Sequence, residues 1–121
     1  TVPDSVLFEP GSVNLGAEAE PVLNDLLILF REYREQTINI KGYTDNSPIP
    51  PDARFRDNWE LSALRSVSVL RWFVDAGIPF VRLTATGMGD LRPLYPNDTP
   101  ENQARNRRVE FTLERKVGGM P

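Results

Sequence analysis

Asp45 and Arg65 stand twenty positions apart and carry opposite charges that could hold one ligand between them. Asp45 follows a short alternating stretch, Thr37-Ile38-Asn39-Ile40-Lys41, that reads as a strand broken at Gly42. It therefore falls just past a strand's carboxyl end, where open α/β sheets form their ligand crevices. Arg65 falls on a helix predicted from about Asp57 to Asp75. A carboxylate accepts an ammonium and a guanidinium accepts a carboxylate, so the pair would suit a zwitterion such as an amino-acid head group. The unpaired N–H groups at the amino end of that helix would add to the anion site. Two plainer readings stand beside this one: the two side chains could pair with each other, or Asp45 could cap its own turn.

Composition narrows the chemistry further. The 121 residues contain no cysteine and no histidine. Thiolate nucleophiles, disulfides, Cys/His zinc sites and histidine acid–base catalysis are thereby excluded. No metal site and no cofactor are expected. Two carboxylates about 5–10 Å apart would be needed for glycoside hydrolysis. Asp45, Asp52, Asp57 and Glu60 are close in sequence, but no spacing singles out a pair, and no enzymatic activity is expected. The net charge is −3, which disfavours nucleic acid as a partner. The five basic residues between Arg105 and Lys116 are interrupted by Glu110 and Glu114, so they read as a solvated strand face. The longest aliphatic and aromatic run, Leu26 to Phe30, cannot span a bilayer of about 30 Å. The chain begins at Thr1 and reads as a fragment whose membrane anchor would lie upstream.

The elements that must position these groups follow from periodicity. Val6-Leu7-Phe8 reads as a first strand ended by Glu9-Pro10-Gly11. Leu23, Leu26, Leu27 and Phe30 recur at helical spacing between Ala17 and Tyr33. The segment from Thr44 to Arg56 holds Pro48, Pro50 and Pro51 and reads as a stiff loop. Asp57 with Glu60 makes a capping box for the second helix, and Ala76-Gly77 before Pro79 stops it. On that helix Ala63, Leu64, Val67, Leu70 and Val74 form the expected core stripe, with Arg65 roughly opposite. Val81 to Thr86 alternates as a third strand. Thr99-Pro100-Glu101 opens a short helix to Arg105, and Arg107 to Arg115 forms the last strand, with Val109, Phe111 and Leu113 facing one way. The expected fold is an α/β two-layer sandwich, βαβαβ(α)β, with a mixed sheet and both main helices on one face. One domain covers 1–121, with its core from about 6 to 115 and a loose tail over 116–121.

Four segments together resemble the OmpA-like peptidoglycan-binding domain: Gly42-Tyr43-Thr44-Asp45, Asn58-x-x-Leu61-Ser62-x-x-Arg65, Gly87-x-Gly89, and Asn106-Arg107-Arg108-Val109-Glu110. Leu7-Phe8-Glu9 with Leu15 is similar to that family's first strand and turn. The longer loop after Asp45 and the stretch from Arg92 to Arg108 resemble the MotB-type branch of flagellar stators. Similar domains end type VI secretion components and other envelope proteins.

The resemblance implies non-catalytic binding of the peptidoglycan stem at meso-diaminopimelate, with Asp45 on the ammonium and Arg65 on the carboxylate. It further implies ligand-binding roles for Asn58, Thr44, Phe8, Glu9, Asn106 and Arg108, and for the amides near Leu61. It implies a periplasmic domain, a homodimer, and a membrane-embedded partner reached through an upstream segment. Glu9 stands where the family often has aspartate, Ser66 replaces its usual alanine, and the 46–57 loop is longer than in shorter members, long enough to cover the pocket or to cost it the ligand.

Overall fold

The computed structural model describes residues 1–115; the tail expected over 116–121 lies outside the described residues. The elements run β1 (Val2–Pro3), α1 (Asp4–Leu7), α2 (Ala19–Glu32), β2 (Gln36–Tyr43), α3 (Asn58–Asp75), a 3-10 turn (Phe80–Arg82), β3 (Leu83–Gly87), α4 (Pro100–Asn106) and β4 (Arg108–Arg115). One four-stranded sheet has the order β1-β4-β2-β3. β2 and β3 are parallel, from Ile38 opposite Leu83 to Gly42 opposite Gly87. β4 inserts antiparallel beside β2, with Tyr43 opposite Arg108. It also pairs antiparallel with β1, Val2 opposite Val109. Alternation along these strands turns Ile38, Ile40, Val109 and Phe111 toward one face. There Phe111 meets Phe30 of α2 at 6.1 Å and Phe73 of α3 at 6.0 Å between ring centroids, which places both main helices on the same side. No helix among the described residues is long and apolar enough to cross a membrane.

The helix boundaries follow local chemistry. The Asp57 carboxylate accepts the Glu60 N–H at 2.9 Å and opens α3. Gly77 takes φ +103° just past its end. The Thr99 hydroxyl accepts the Asn102 N–H at 3.1 Å, and Pro100 occupies the first turn of α4.

Two expectations are corrected. The strand over Val6–Phe8 is instead the helical turn α1, with the paired strand upstream at Val2–Pro3; Phe8 makes only an isolated bridge to Leu15. Three apolar residues carry too little periodicity to separate the two states. The helical turn also buries both Leu7 and Phe8, which strict alternation would separate.

The core face of α3 is Ser62, Arg65, Ser66, Val69 and Phe73, while Leu64 and Val74 of the expected stripe are exposed. The reason is the distance between helix and sheet. A Cβ on Gly42 would lie 2.5 Å from the Ser62 carbonyl oxygen, and one on Gly87 2.7 Å from the Ala63 nitrogen. Only small residues fit so close an approach. The serines remain satisfied there: Ser62 Oγ donates to Trp59 O and accepts from Gly89 N, and Ser66 Oγ shares its proton between Ser62 O and Thr86 O. Hydropathy ranks Ser and Arg outside a core, so the pattern selected the neighbouring face.

Candidate functional site

β2 delivers Thr44 and Asp45 to the carboxyl edge of the sheet, and local hydrogen bonds hold them there. The Thr44 N–H donates to Gly89 O at 2.8 Å. One Asp45 oxygen accepts the Ser47 N–H at 2.8 Å. Asn58 Nδ2, at the start of α3, donates to the carbonyls of Asp45 (3.3 Å) and Ser47 (3.1 Å) and so staples the turn.

Arg65 reaches the same region from α3. Its Nε donates to Ser12 O at 2.9 Å and its Nη1 to Asp4 at 2.8 Å, while the guanidinium lies 4.9 Å above the Phe8 ring. Arg107, at the junction of α4 and β4, donates through Nη1 to Asp45 and brings Nε to 3.8 Å from Asp4. The four side chains form an alternating row, Arg65–Asp4–Arg107–Asp45. Both Asp45 and Arg65 are about 5–6% exposed, whereas the Arg107 side chain is 38% exposed. Asp45 and Arg65 do not pair with each other.

These groups open on a cleft of about 470 Å³, within the range of small-molecule sites. Of the sequence-predicted residues, Asp45, Arg65, Asn58, Leu61, Thr44, Phe8 and Glu9 line it. Ser47, Pro48 and Ile49 form one wall, so the long loop borders the cleft and leaves its volume open. Leu61 contributes its side chain only, because its N–H already donates to Asp57 O at 3.1 Å.

Asn106 and Arg108 are not brought to the cleft. Asn106 is fully buried and accepts the N–H groups of Leu94 and Tyr95 while donating to Tyr95 O and Asn97. Arg108 lies on the opposite face of the sheet, 3.8 Å over the Tyr43 ring, bonded to Glu110, Asn106 O and Arg92 O. Burial, helped by Glu110 and opposed by Arg108 and Arg92, raises the Tyr43 phenol above its ordinary value.

The cleft instead takes Arg107, which has the parity of Val109 and so faces the helix side. That alternation was readable in the sequence. Asp4 had no such signal, because its direction depends on the helical turn of α1.

A two-layer α/β sandwich with a charged cleft at the carboxyl edge of its sheet defines a class of small ligand-binding domains. Residues 7–107 match the OmpA family model, and the chain belongs to that family. It is a MotB-type domain. It is 32% identical over 114 residues to motility protein B of Bacillus subtilis, covering 93% of this chain and 43% of that protein. A MotB-like protein from Desulfovibrio vulgaris superposes with TM-score 0.91 at 60% identity, over 94% of this chain and 73% of that one. The cell wall anchor of the type VI secretion system of Pseudomonas aeruginosa superposes with TM-score 0.85 at 31% identity, over 94% and 78%. The chain spans less than half the length of the curated relatives it matches.

Proposed function

We propose that this domain grips peptidoglycan without catalysis, on the periplasmic side, and anchors a membrane-embedded machine of the flagellar stator kind to the cell wall. The ligand is the zwitterionic end of a meso-diaminopimelate stem residue. Its ammonium joins Asp45 and its carboxylate joins Arg65. One observation carries this reading: two nearly buried, opposite charges face one open cleft and are held by separate partners, Asp4 and Arg107, rather than by each other. Arg65 keeps its orientation through Ser12 and Asp4, and among the described residues no acceptor is recorded for its Nη2. That leaves a donor for the incoming carboxylate.

Each charge-assisted contact contributes roughly 1.5–3 kcal/mol, offset where the ligand displaces an internal partner. Single-site affinity should then be micromolar to millimolar, on the order of −8 to −4 kcal/mol. Two copies in a homodimer would raise avidity without new contacts. The likeness to a secretion-system cell wall anchor favours a second machine for the same ligand and the same cleft.

The test is titration with free meso-diaminopimelate and co-sedimentation with isolated sacculi. Asp45→Asn and Arg65→Ala should each weaken binding at least about tenfold while the circular dichroism spectrum is kept. Unchanged binding in both variants overturns the assignment.

A further inference from the structure

The charged row Arg65–Asp4–Arg107–Asp45 contains two kinds of member. Asp45 directly follows β2 and Arg65 lies within α3, and both are nearly buried. Each is also held from a second side: the Ser47 N–H donates to one Asp45 oxygen, and Arg65 Nε donates to Ser12 O. Asp4 opens the four-residue α1, next to the two-residue β1, and Arg107 lies in the junction between α4 and β4. These two are tied to each other. The Asp4 N–H donates to Arg107 O at 3.1 Å, and Arg107 Nε stands 3.8 Å from the Asp4 carboxylate. Their side chains are the more open members of the row, 13% exposed at Asp4 and 38% at Arg107.

The tied pair presents a carboxylate to Arg65 Nη1 and a guanidinium to Asp45. A zwitterionic head group would present a carboxylate and an ammonium to the same two side chains. Asp4 and Arg107 thus make the contacts that the ligand is to make, with the same signs in the same order. When a head group takes Asp45 and Arg65, the displaced carboxylate and guanidinium are already 3.8 Å apart and can close on each other. No charge in the row then loses its partner. A ligand with a single charge cannot achieve this. An amine on Asp45 leaves two guanidiniums to share Asp4, and a carboxylate on Arg65 leaves Asp4 and Asp45 to share Arg107. Either outcome places an unbalanced charge in a nearly buried row, which costs binding energy. The head group also carries both charges on one carbon, so it tolerates less change in the Asp45–Arg65 spacing than two separate side chains do.

We propose that Asp4 and Arg107 are an internal surrogate for the zwitterionic head group, and that they set the selectivity of the cleft: they exchange partners with a ligand bearing both charges and resist one bearing either alone. The inference rests on the reading of Asp45 and Arg65 given above and adds to it two residues that compete with the ligand rather than hold it. Selectivity then comes from what the ligand must displace as well as from what it contacts. Such a pair has a distinct signature. Removing either member should strengthen binding, whereas removing a residue that supports the site weakens it.

Three probes would be titrated against the 121-residue chain: the diaminopimelate-containing tripeptide with its side-chain head group free, the same tripeptide with that ammonium acetylated, and the same with that carboxylate amidated. The chain should bind the first at least about tenfold more tightly than either of the others. Asp4→Asn should bind the free and the acetylated tripeptides about tenfold more tightly than the unchanged chain does, and Arg107→Gln the free and the amidated ones. In the unchanged chain the free tripeptide should shift the side-chain Nε–H resonances of both Arg65 and Arg107, a readout that holds even where a variant fails to fold. Equal or weaker binding of the free tripeptide in either folded variant overturns the proposal, as does an Arg107 resonance that the bound tripeptide leaves in place. In both cases binding to the unchanged chain keeps the peptidoglycan reading. A free tripeptide that binds only the variants supports the proposal and that reading together. One that binds neither the unchanged chain nor a folded variant overturns both.

Discussion

Gly87→Ala is the sharpest test of how the fold sets the site. Gly87 ends β3 directly beneath α3. A methyl group there would lie 2.7 Å from the Ala63 nitrogen, 2.8 Å from its Cα and 2.8 Å from its Cβ. Two of these atoms are helix backbone, so no rotamer change relieves the clash. Ordinary carbon contacts of about 3.5–4.0 Å require α3 to retreat by roughly 1 Å. Overpacking of this kind costs about 1–3 kcal/mol, offset by about 0.4–1 kcal/mol from a stiffer unfolded chain. The net loss is then about 1–2 kcal/mol. At about 2.1 cal/mol/K of unfolding entropy per residue, this lowers Tm by roughly 4–8 °C. Arg65 lies two residues along the same helix, with its Nη1 2.8 Å from Asp4. A retreat of about 1 Å breaks that contact, so ligand affinity should fall by about tenfold in the same variant. Thermal melts followed by circular dichroism, and titration with meso-diaminopimelate at a temperature where the variant is folded, read both quantities. A melting temperature equal to or above that of the unchanged chain would refute the packing argument. A lower melting temperature with unchanged affinity would refute the link between helix position and site.

Asn106→Ala should destabilise by roughly 2–4 kcal/mol, because it removes the four hydrogen bonds that its fully buried side chain makes to Leu94, Tyr95 and Asn97, yet leave the affinity of folded protein unchanged; urea denaturation and titration check the two halves. Arg107→Ala should lower Tm, because it leaves the nearly buried Asp45 carboxylate without its guanidinium partner, and should strengthen co-sedimentation with sacculi, because the ligand ammonium no longer has that partner to displace. Tyr43 has a phenol pKa raised above 10.0 in the folded state. The unfolded chain therefore loses its proton first as pH rises, and folding stability should decline above pH about 10 and stay level with respect to this group below it. Urea midpoints for the unchanged chain and Tyr43→Phe should diverge with pH only in that alkaline window. Thr99→Ala removes the cap of α4 and should cost about 1 kcal/mol by thermal melt.

Much of the fold was legible along the chain because its signals are local. The α2 set Leu23, Leu27 and Phe30 is buried at the spacing that predicted it. Asp57 and Thr99 cap the helices they were expected to cap, and Val109, Phe111 and Leu113 alternate as written. Asp45 and Arg65 were identified as opposed charges from their types and from the elements carrying them. Each of these depends on residues within a turn or a strand of one another.

Tertiary structure alone decided three things. The close approach of α3 to Gly42 of β2 and Gly87 of β3 chose a helix face that includes Ser62, Arg65 and Ser66 over the more hydropathic one, because separation between layers is not a property of either element. The helical turn of α1 brought Asp4 between Arg65 and Arg107, sixty-one residues from the first of them, and so kept Arg65 from pairing with Asp45. The antiparallel insertion of β4 between β1 and β2 put the start of that strand beside the end of β2, so that Arg107 meets Asp45. A sequence can specify which charges are available. Which of them meet depends on sheet order and layer spacing, and those are settled only when the whole chain packs.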